Sequence, residues 1–465
     1  MISVRLAVFL AIAVVAPAAR AQGNYRSAAL GGRSALMGDT GVALGTDGAA
    51  PFLNPATTVH VESTLAVSVS FLTLDVQHAS DWYAPGGDVT RVSGNAIPST
   101  LCFFFDLPRL YTPSDKESKG GSQKLATCFG NTELESFDWV GQGFQSAAPA
   151  SLETTSVHWS WQRFVVGPSY AVNLTPELAL GASVLGTFTN FSSFASVGQT
   201  AADGSSSSVF EDGASGNDFS LSAAFGATLN LSRVTLGAMV QSPDVAVYGH
   251  GNTSNYQSSS TAGSGTYFGS GSFHGLEPTR FGLGVGYEWP RGSIEIDGQL
   301  ALAQPDAVDL DTQGTILQTP GGSLTPATLQ RATRFQPTVN ASIGTEIFVR
   351  PSLSILAGFA TDFSAVDGLA QTAILPLREN RLLASFGLGS HTAGGTVIIG
   401  AQAYYGWGQM LGYAAAPAVA PIDFTSTGVL FVLAGATNLK SIERAVEEVR
   451  RLVKPRTQQK TQEIR

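Results

Sequence analysis

The sequence has 465 residues, 43% of them hydrophobic and only 13% charged, with 52 glycines and a formal net charge of −9. Mean hydropathy is +0.13, yet past the first residues no stretch approaches the ~20 consecutive apolar residues of a spanning helix, which excludes an α-helical membrane bundle. The acidic balance argues against nucleic acid as a partner.

The chain opens on a secretory signal: Arg5, an apolar run over 6–15, and Ala19-Arg20-Ala21 as a small-x-small cleavage site. Residues 1–21 are expected to be removed. Next comes a Gly-rich stretch, 31–56, in which Gly38, Gly41, Gly45 and Gly48 free the backbone to follow a tight path. Asn54-Pro55 marks a turn, because proline drives the preceding residue away from helix. A segment this small and irregular is stable only if something surrounds it. The run from Leu30 to Ala56, with Gly38, the Asp47-Gly48-Ala49-Ala50 step and the Asn54-Pro55-Ala56 ending, resembles the amino-terminal hatch of the FadL/TodX family. The resemblance implies an outer-membrane barrel for long-chain fatty acids or other hydrophobic molecules, with residues 22–60 as a hatch in its lumen.

The strands follow from alternation, since a barrel strand shows one face to lipid and the other to the lumen. In 218–231, Phe219, Leu221, Phe225 and Leu229 oppose Ser220, Ser222 and Thr228. In 279–288, Phe281, Leu283, Val285 and Tyr287 oppose Gly282, Gly284 and Gly286. The same test gives strands near 64–74, 99–106, 154–173, 177–190, 218–231, 233–248, 276–288, 291–302, 335–348, 351–363, 380–391, 393–407 and 424–438. A weakly patterned strand near 123–130 completes an even count of about fourteen, the number the FadL-like family uses. Short turns such as 175–176 and 392–393 alternate with long connections at 191–217, 249–275, 303–334, 364–379 and 408–423. These long connections are expected to be extracellular loops. Trp159, Trp161, Phe188, Tyr287, Trp289, Tyr405 and Trp407 stand where interfacial aromatic girdles would be. The 249–275 connection reads as a flexible surface loop or, through Tyr256, Tyr267, Phe268 and Phe273, as a capture surface for an apolar ligand.

The fold class is therefore all-β: a transmembrane antiparallel barrel over 61–439, the hatch inside it, and a short amphipathic helix with a polar tail over 440–465. In that last part Ile442, Ala445, Val446, Val449 and Leu452 recur at helical spacing until Pro455. Basic residues crowd it (Arg444, Arg450, Arg451, Lys454), so it caps the mouth, binds lipid headgroups or stays solvated on the periplasmic side. Cys102 and Cys128 allow one bridge in an exported protein, the other reading being two buried thiols.

No enzyme is legible. The six histidines have no metal-ligand spacing, and neither a nucleophile elbow nor a Walker loop occurs. No metal or cofactor is expected. Glu295, Asp297, Glu346 and Asp362 fall on inward faces, as structural partners for lumenal arginines drawn from Arg163, Arg280, Arg334 and Arg381, or as a network that orders the hatch. The expected function is passive uptake of hydrophobic molecules across the bacterial outer membrane, with apolar ligand, outer-membrane lipid and the barrel-assembly machinery as partners. The resemblance also implies sideways release through a kinked third strand, which should lie in 107–153. There Asp115, Lys116, Glu117, Lys119 and Lys124 form a polar insertion bracketed by the cysteines, so the gate is remodelled or absent. The alternatives are a non-transporting barrel serving as shuttle or scaffold for a secretion system, and an aqueous porin.

Overall fold

The computed structural model describes residues 29–82, 87–107, 122–145, 150–319, 321–370, 374–415 and 418–438. The signal segment, the insertion at 108–121 and the tail beyond 438 lie outside the described residues. The described strands begin with β1 (Thr64–Ala79), β2 (Val89–Leu107), β3 (Gln123–Gln145), β4 (Ser151–Asn173), β5 (Leu178–Ala201) and β6 (Ser207–Leu231). They continue with β7 (Val234–Gln241), β8 (Val245–Ser259), β9 (Gly263–Gly275), β10 (Arg280–Trp289), β11 (Gly292–Ala301) and β12 (Gln304–Thr319). Last come β13 (Ser323–Phe335), β14 (Thr338–Arg350), β15 (Leu353–Asp362), β16 (Leu377–Thr392), β17 (Gly395–Ala415) and β18 (Ala418–Asn438). All are antiparallel in one sheet, closed by β1 against β18.

Eighteen segments make fourteen staves. The last part of β6 pairs with β7 and its first part with β8, so β7 and β8 lie end to end along one neighbour. In the same way β9 continues β10, β12 continues β11 and β13 continues β14. Each joint carries a proline in or beside it: Pro243, Pro278, Pro305 and Pro337. Proline has no N–H to give the ladder, so the stave is interrupted there and bends.

The fourteen staves agree with the alternation, but their lengths do not. The connections expected to be loops at 191–217, 249–275, 303–334 and 408–423 are mostly strand, with turns as short as 202–206 and 260–262. Gly, Ser, Thr and Gln are frequent in the extensions at 191–217 and 249–275, and sustained alternation of apolar with polar residues is weak there, so the hydrogen-bond ladder is what reveals them. The connection at 364–379 also differs: its described residues turn inward, with Ala365, Val366, Ile374 and Leu375 buried among lumenal side chains.

Around the outside runs a belt of exposed apolar side chains, among them Leu74, Phe105, Val184, Phe225, Leu283 and Ile399. A soluble monomer rarely exposes so continuous a patch. Among the described residues no helix is long and apolar enough to cross a membrane.

Candidate ligand site in the barrel lumen

The floor of the lumen is the segment 29–61, at the end where turns are short. It holds two single helical turns, Arg33–Leu36 and Ala50–Leu53, and a 3-10 turn, Pro55–His60. Asp47 ties it to itself: its carboxylate accepts from the backbone N–H of Gly32, Ser34 and Ala49 and from the Ser34 hydroxyl, at 2.9–3.1 Å. Asn54 donates to the carbonyls of Val42 and of Ala227 on β6, and accepts from the N–H of Ala56. Pro55 then starts the 3-10 turn, and Ala56 is fully buried. Gly38 has φ +70 and lies so close to the β15 backbone that a Cβ would meet Phe359 N at 2.6 Å; its N–H donates to Ser385 Oγ of β16. The inward glycines of β10 leave room for Val42, Ala43 and Leu44.

The wall holds this segment through carboxylates. Asp297 Oδ2 accepts from the N–H of Gly41 and Val42 at 2.8 and 3.1 Å, and Glu295 Oε1 from Ala43 and Leu44 at 2.6 and 2.9 Å. Glu346 takes Arg33 Nε at 2.7 Å. Burial lowers the affinity of Arg33 for its proton, but Glu346, Glu295 and Asp47 outweigh it and leave the pKa above its ordinary value. The sequence left these acids between two roles, partners of lumenal arginines or a network on the amino-terminal segment. The hydrogen bonds of Glu295, Asp297 and Glu346 run to that segment, where four successive backbone N–H groups have no secondary-structure partner.

Above the floor, the wall arginines serve two other clusters. Arg163 on β4 meets Glu133 at 2.9 Å, Glu277 at 3.2 Å and the Gly275 carbonyl at 2.8 Å; Arg280 joins Glu277 at 2.8 Å. Arg381 on β16 meets Glu379 at 2.6 Å and Glu135 at 3.0 Å, with its guanidinium over the Tyr404 ring at 5.1 Å. Asp362 is buried at the end of β15, opposite Arg381 in register. Arg334 is exposed and takes no part. Glu133, Glu135 and Glu379 lay outside the expected strands, and Glu277, at the start of the expected strand 276–288, was not singled out as lumenal.

Among the described residues, the ladder between β2 and β3 is incomplete, which leaves a seam. β2 and β3 pair only from Thr100↔Gly130 to Leu107↔Gln123. Beyond that, β2 residues 89–98 pair with β1 alone and β3 residues 131–145 with β4 alone. A bulge between Asn131 and Glu133 of β3 marks the break. One extra residue switches which parity faces inward: Ala126, Cys128 and Gly130 before it, Glu133, Phe137 and Trp139 after it. The third strand is thus irregular where the family resemblance implied a kink. Just below the seam Cys102 and Cys128 stand in register and are bonded; Cys102 Sγ lies 3.2 Å from the Gly48 carbonyl oxygen of the floor. Lys124, grouped with the insertion on sequence grounds, is buried in β3, where it donates to the Val61 carbonyl and pairs with Asp106.

Behind the seam lies a cavity of about 80 Å³, lined by Asp75 of β1 and its neighbour Ser93 of β2, by Glu135, Ser136 and Phe137 of β3, and by Arg381 of β16 and Tyr404 of β17. Its roof is aromatic. Phe137 stacks on Trp159 with centroids 5.4 Å apart, Trp82 meets Trp139 edge-on at 5.3 Å, and Phe191 stacks on Phe273 at 5.8 Å. Trp159 and Trp161 therefore point inward, not to a girdle. They share parity with Glu153 and Arg163, and a barrel keeps such charges in the lumen. Phe188, Tyr287 and Tyr405 do face outward, the last two stacked on Trp289 and Trp407. Phe273 and Tyr267 are buried on β9, so the 249–275 connection is neither a flexible loop nor, at these two residues, an exposed surface.

No family model matches the sequence, and no curated protein resembles it in sequence. Solved structures do. The Pseudomonas putida toluene transporter TodX superposes with a TM-score of 0.57 at 14% identity, covering 90% of this chain and 100% of that one. The CymD monoaromatic hydrocarbon channel gives 0.53 at 14% identity, covering 90% and 98%. A Pseudomonas aeruginosa FadL homologue gives 0.54 at 13% identity, covering 90% and 100%. This chain has the fold of those barrels. The resemblance drawn from residues 30–56 thus extends to the whole fourteen-stave wall.

Proposed function

We propose that this protein is an outer-membrane channel for the passive uptake of hydrophobic small molecules. The observation that carries the reading is the unpaired β2–β3 seam with a lumenal cavity directly behind it. A barrel whose floor is filled by residues 29–61 offers an apolar solute little reason to pass straight through. A gap in the wall gives it a way into the hydrocarbon layer, which it prefers to water. The exposed apolar belt suits a bilayer, and the structural neighbours named as hydrocarbon channels support the same class of cargo. The segment 22–60 then acts as a hatch, and Asp47, Asn54 and the carboxylates of β11 and β14 hold its described part. Fatty acids are one candidate cargo among apolar compounds. The structural neighbours named as a channel and a transporter support a channel rather than an enzyme.

The test is uptake of a radiolabelled apolar probe such as toluene by cells carrying the protein, against cells carrying a variant without Thr132. Deleting the bulge residue restores one parity along β3 and lets the ladder continue past Gly130. Uptake should fall towards the level of cells without the barrel. A folded variant with full uptake would refute lateral passage.

A further inference from the structure

On the outer face of the sheet, above the apolar belt, lies a hollow of about 580 Å³. Four strands form it in register. Phe194 of β5 stands opposite Gly213 of β6, Gly213 opposite Ser254 of β8, and Ser254 opposite Phe268 of β9. The two rings point outward, 42% and 66% exposed. At about 4.8 Å between neighbouring strands, they stand roughly 14 Å apart. Gly213 keeps the floor between them open, because a Cβ there would meet Ser254 Oγ at 2.6 Å.

Two residues nearer the belt on each strand, Ser192, Ser215, Asn252, Ser270 and Gln313 of β12 form the next outward row. These five side chains and that of Ser254 line the hollow and make no hydrogen bond within the protein, among the described residues. Higher on the same sheet such groups pair across the ladder, as Ser264 does with Thr319 at 2.8 Å. No charged side chain lines the hollow. Glu211, one outward row above, and Asp311, one row below, repel an anionic group.

Height narrows the partner. Phe188, an outward residue of the belt, lies six residues below Phe194 on the same strand. At a rise of about 3.3 Å per residue and a tilt of about 40°, the hollow sits roughly 15 Å above that level. A head-group zone is only about 5–8 Å deep, so the hollow stands in the sugar layer borne by the lipids of a bacterial outer membrane. The chemistry agrees. A sugar ring has a face of C–H bonds that lies on an aromatic ring, and an edge of hydroxyls that donate and accept as Ser, Asn and Gln do.

We propose that this hollow binds an uncharged stretch of the saccharide of the surrounding lipopolysaccharide, with Phe194 and Phe268 as stacking faces and the row from Ser192 to Gln313 as the hydrogen-bonding edge. The contact rests on the outer-membrane reading above and not on uptake.

The experiment titrates the full-length barrel, in a polyoxyethylene detergent that carries no sugar, with the saccharide freed from the source bacterium's lipopolysaccharide by mild acid, and follows binding by calorimetry. Phe194→Ala and Phe268→Ala should each weaken binding about fivefold, and the double variant about twentyfold. A tenfold rise in salt should leave the affinity unchanged, because no ion pair is made. Both rings are exposed, so their loss empties no core, and toluene uptake should continue in either variant. No binding by the unaltered barrel, undiminished binding by the double variant, or binding abolished by salt overturns the proposal. So does a double variant that turns an oligomeric barrel into a monomer, since a second copy then covers the hollow. Should the alanine variants fail to fold, Gly213→Val decides: it fills the floor with both rings in place and must also weaken binding. An unaltered barrel that binds the saccharide as expected but takes up no toluene supports this site and refutes uptake alone.

Discussion

The lower and upper halves of this barrel solve the problem of a wide lumen in different ways. At the short-turn end the chain fills the space with its own backbone, and wall carboxylates satisfy the N–H groups that such an irregular segment leaves open. At the other end side chains fill it: tryptophans, phenylalanines and an inward-turned connection. The wall follows the same division. Below Thr100 and Gly130 the ladder between β2 and β3 is continuous and cross-linked; above them it is missing. A backbone-filled half resists passage because every hydrogen bond in it is specific. A half filled by side chains is held largely by nonpolar contacts, with the Arg163 and Arg381 clusters as its polar ties.

Four changes sharpen that contrast, in falling order of effect. Arg163→Met leaves Glu133 and Glu277 buried beside each other between the two halves, and should cost about 3–5 kcal/mol, read as a lower urea midpoint for the whole barrel. Asp297→Ala removes the acceptor for Gly41 and Val42 and should loosen the floor by about 2–4 kcal/mol. Limited proteolysis within 29–61 would register it, while the strands stay protected; equal loss of protection in both would erase the distinction between halves. Replacing both Cys102 and Cys128 by serine should cost about 3 kcal/mol at most, and hydrogen exchange should rise first at 100–107 and 123–130, next to the seam. Trp159→Phe drops the hydrogen bond to the Ile374 carbonyl and part of the ring packed on Phe137, about 2 kcal/mol together, and should free the 374–377 connection without touching the floor.

How much of this was legible depended on what each region faces. Where strands meet hydrocarbon, alternation such as Phe281, Leu283 and Val285 against three glycines exposes them directly. Where β5, β6, β8, β9, β12 and β13 rise beyond the belt, the outer face turns largely polar while apolar residues such as Phe191, Phe273 and Leu310 stay on the inner face, so the alternation weakens. The segment 31–56 could be read as an enclosed element because its glycines and Asn54-Pro55 prescribe a backbone path, but its anchors are long-range and come from β11 and β14. Trp159 and Trp161 were misplaced because their aromatic character was weighed before their parity with Arg163. The seam was hidden because a missing ladder leaves no residue signature; only the shift of inward parity across Asn131–Glu133 could have disclosed it.

The most direct measurement closes the seam on purpose. Ser93 on β2 and Ser136 on β3 both line the cavity from opposite sides of the break. A Ser93→Cys, Ser136→Cys barrel, joined by a reducible bifunctional thiol reagent, should take up an apolar probe only at the rate of cells without the barrel. Uptake should return on reduction, with the unmodified protein unaffected by the same treatment. Complete cross-linking with unchanged uptake would contradict passage through this wall.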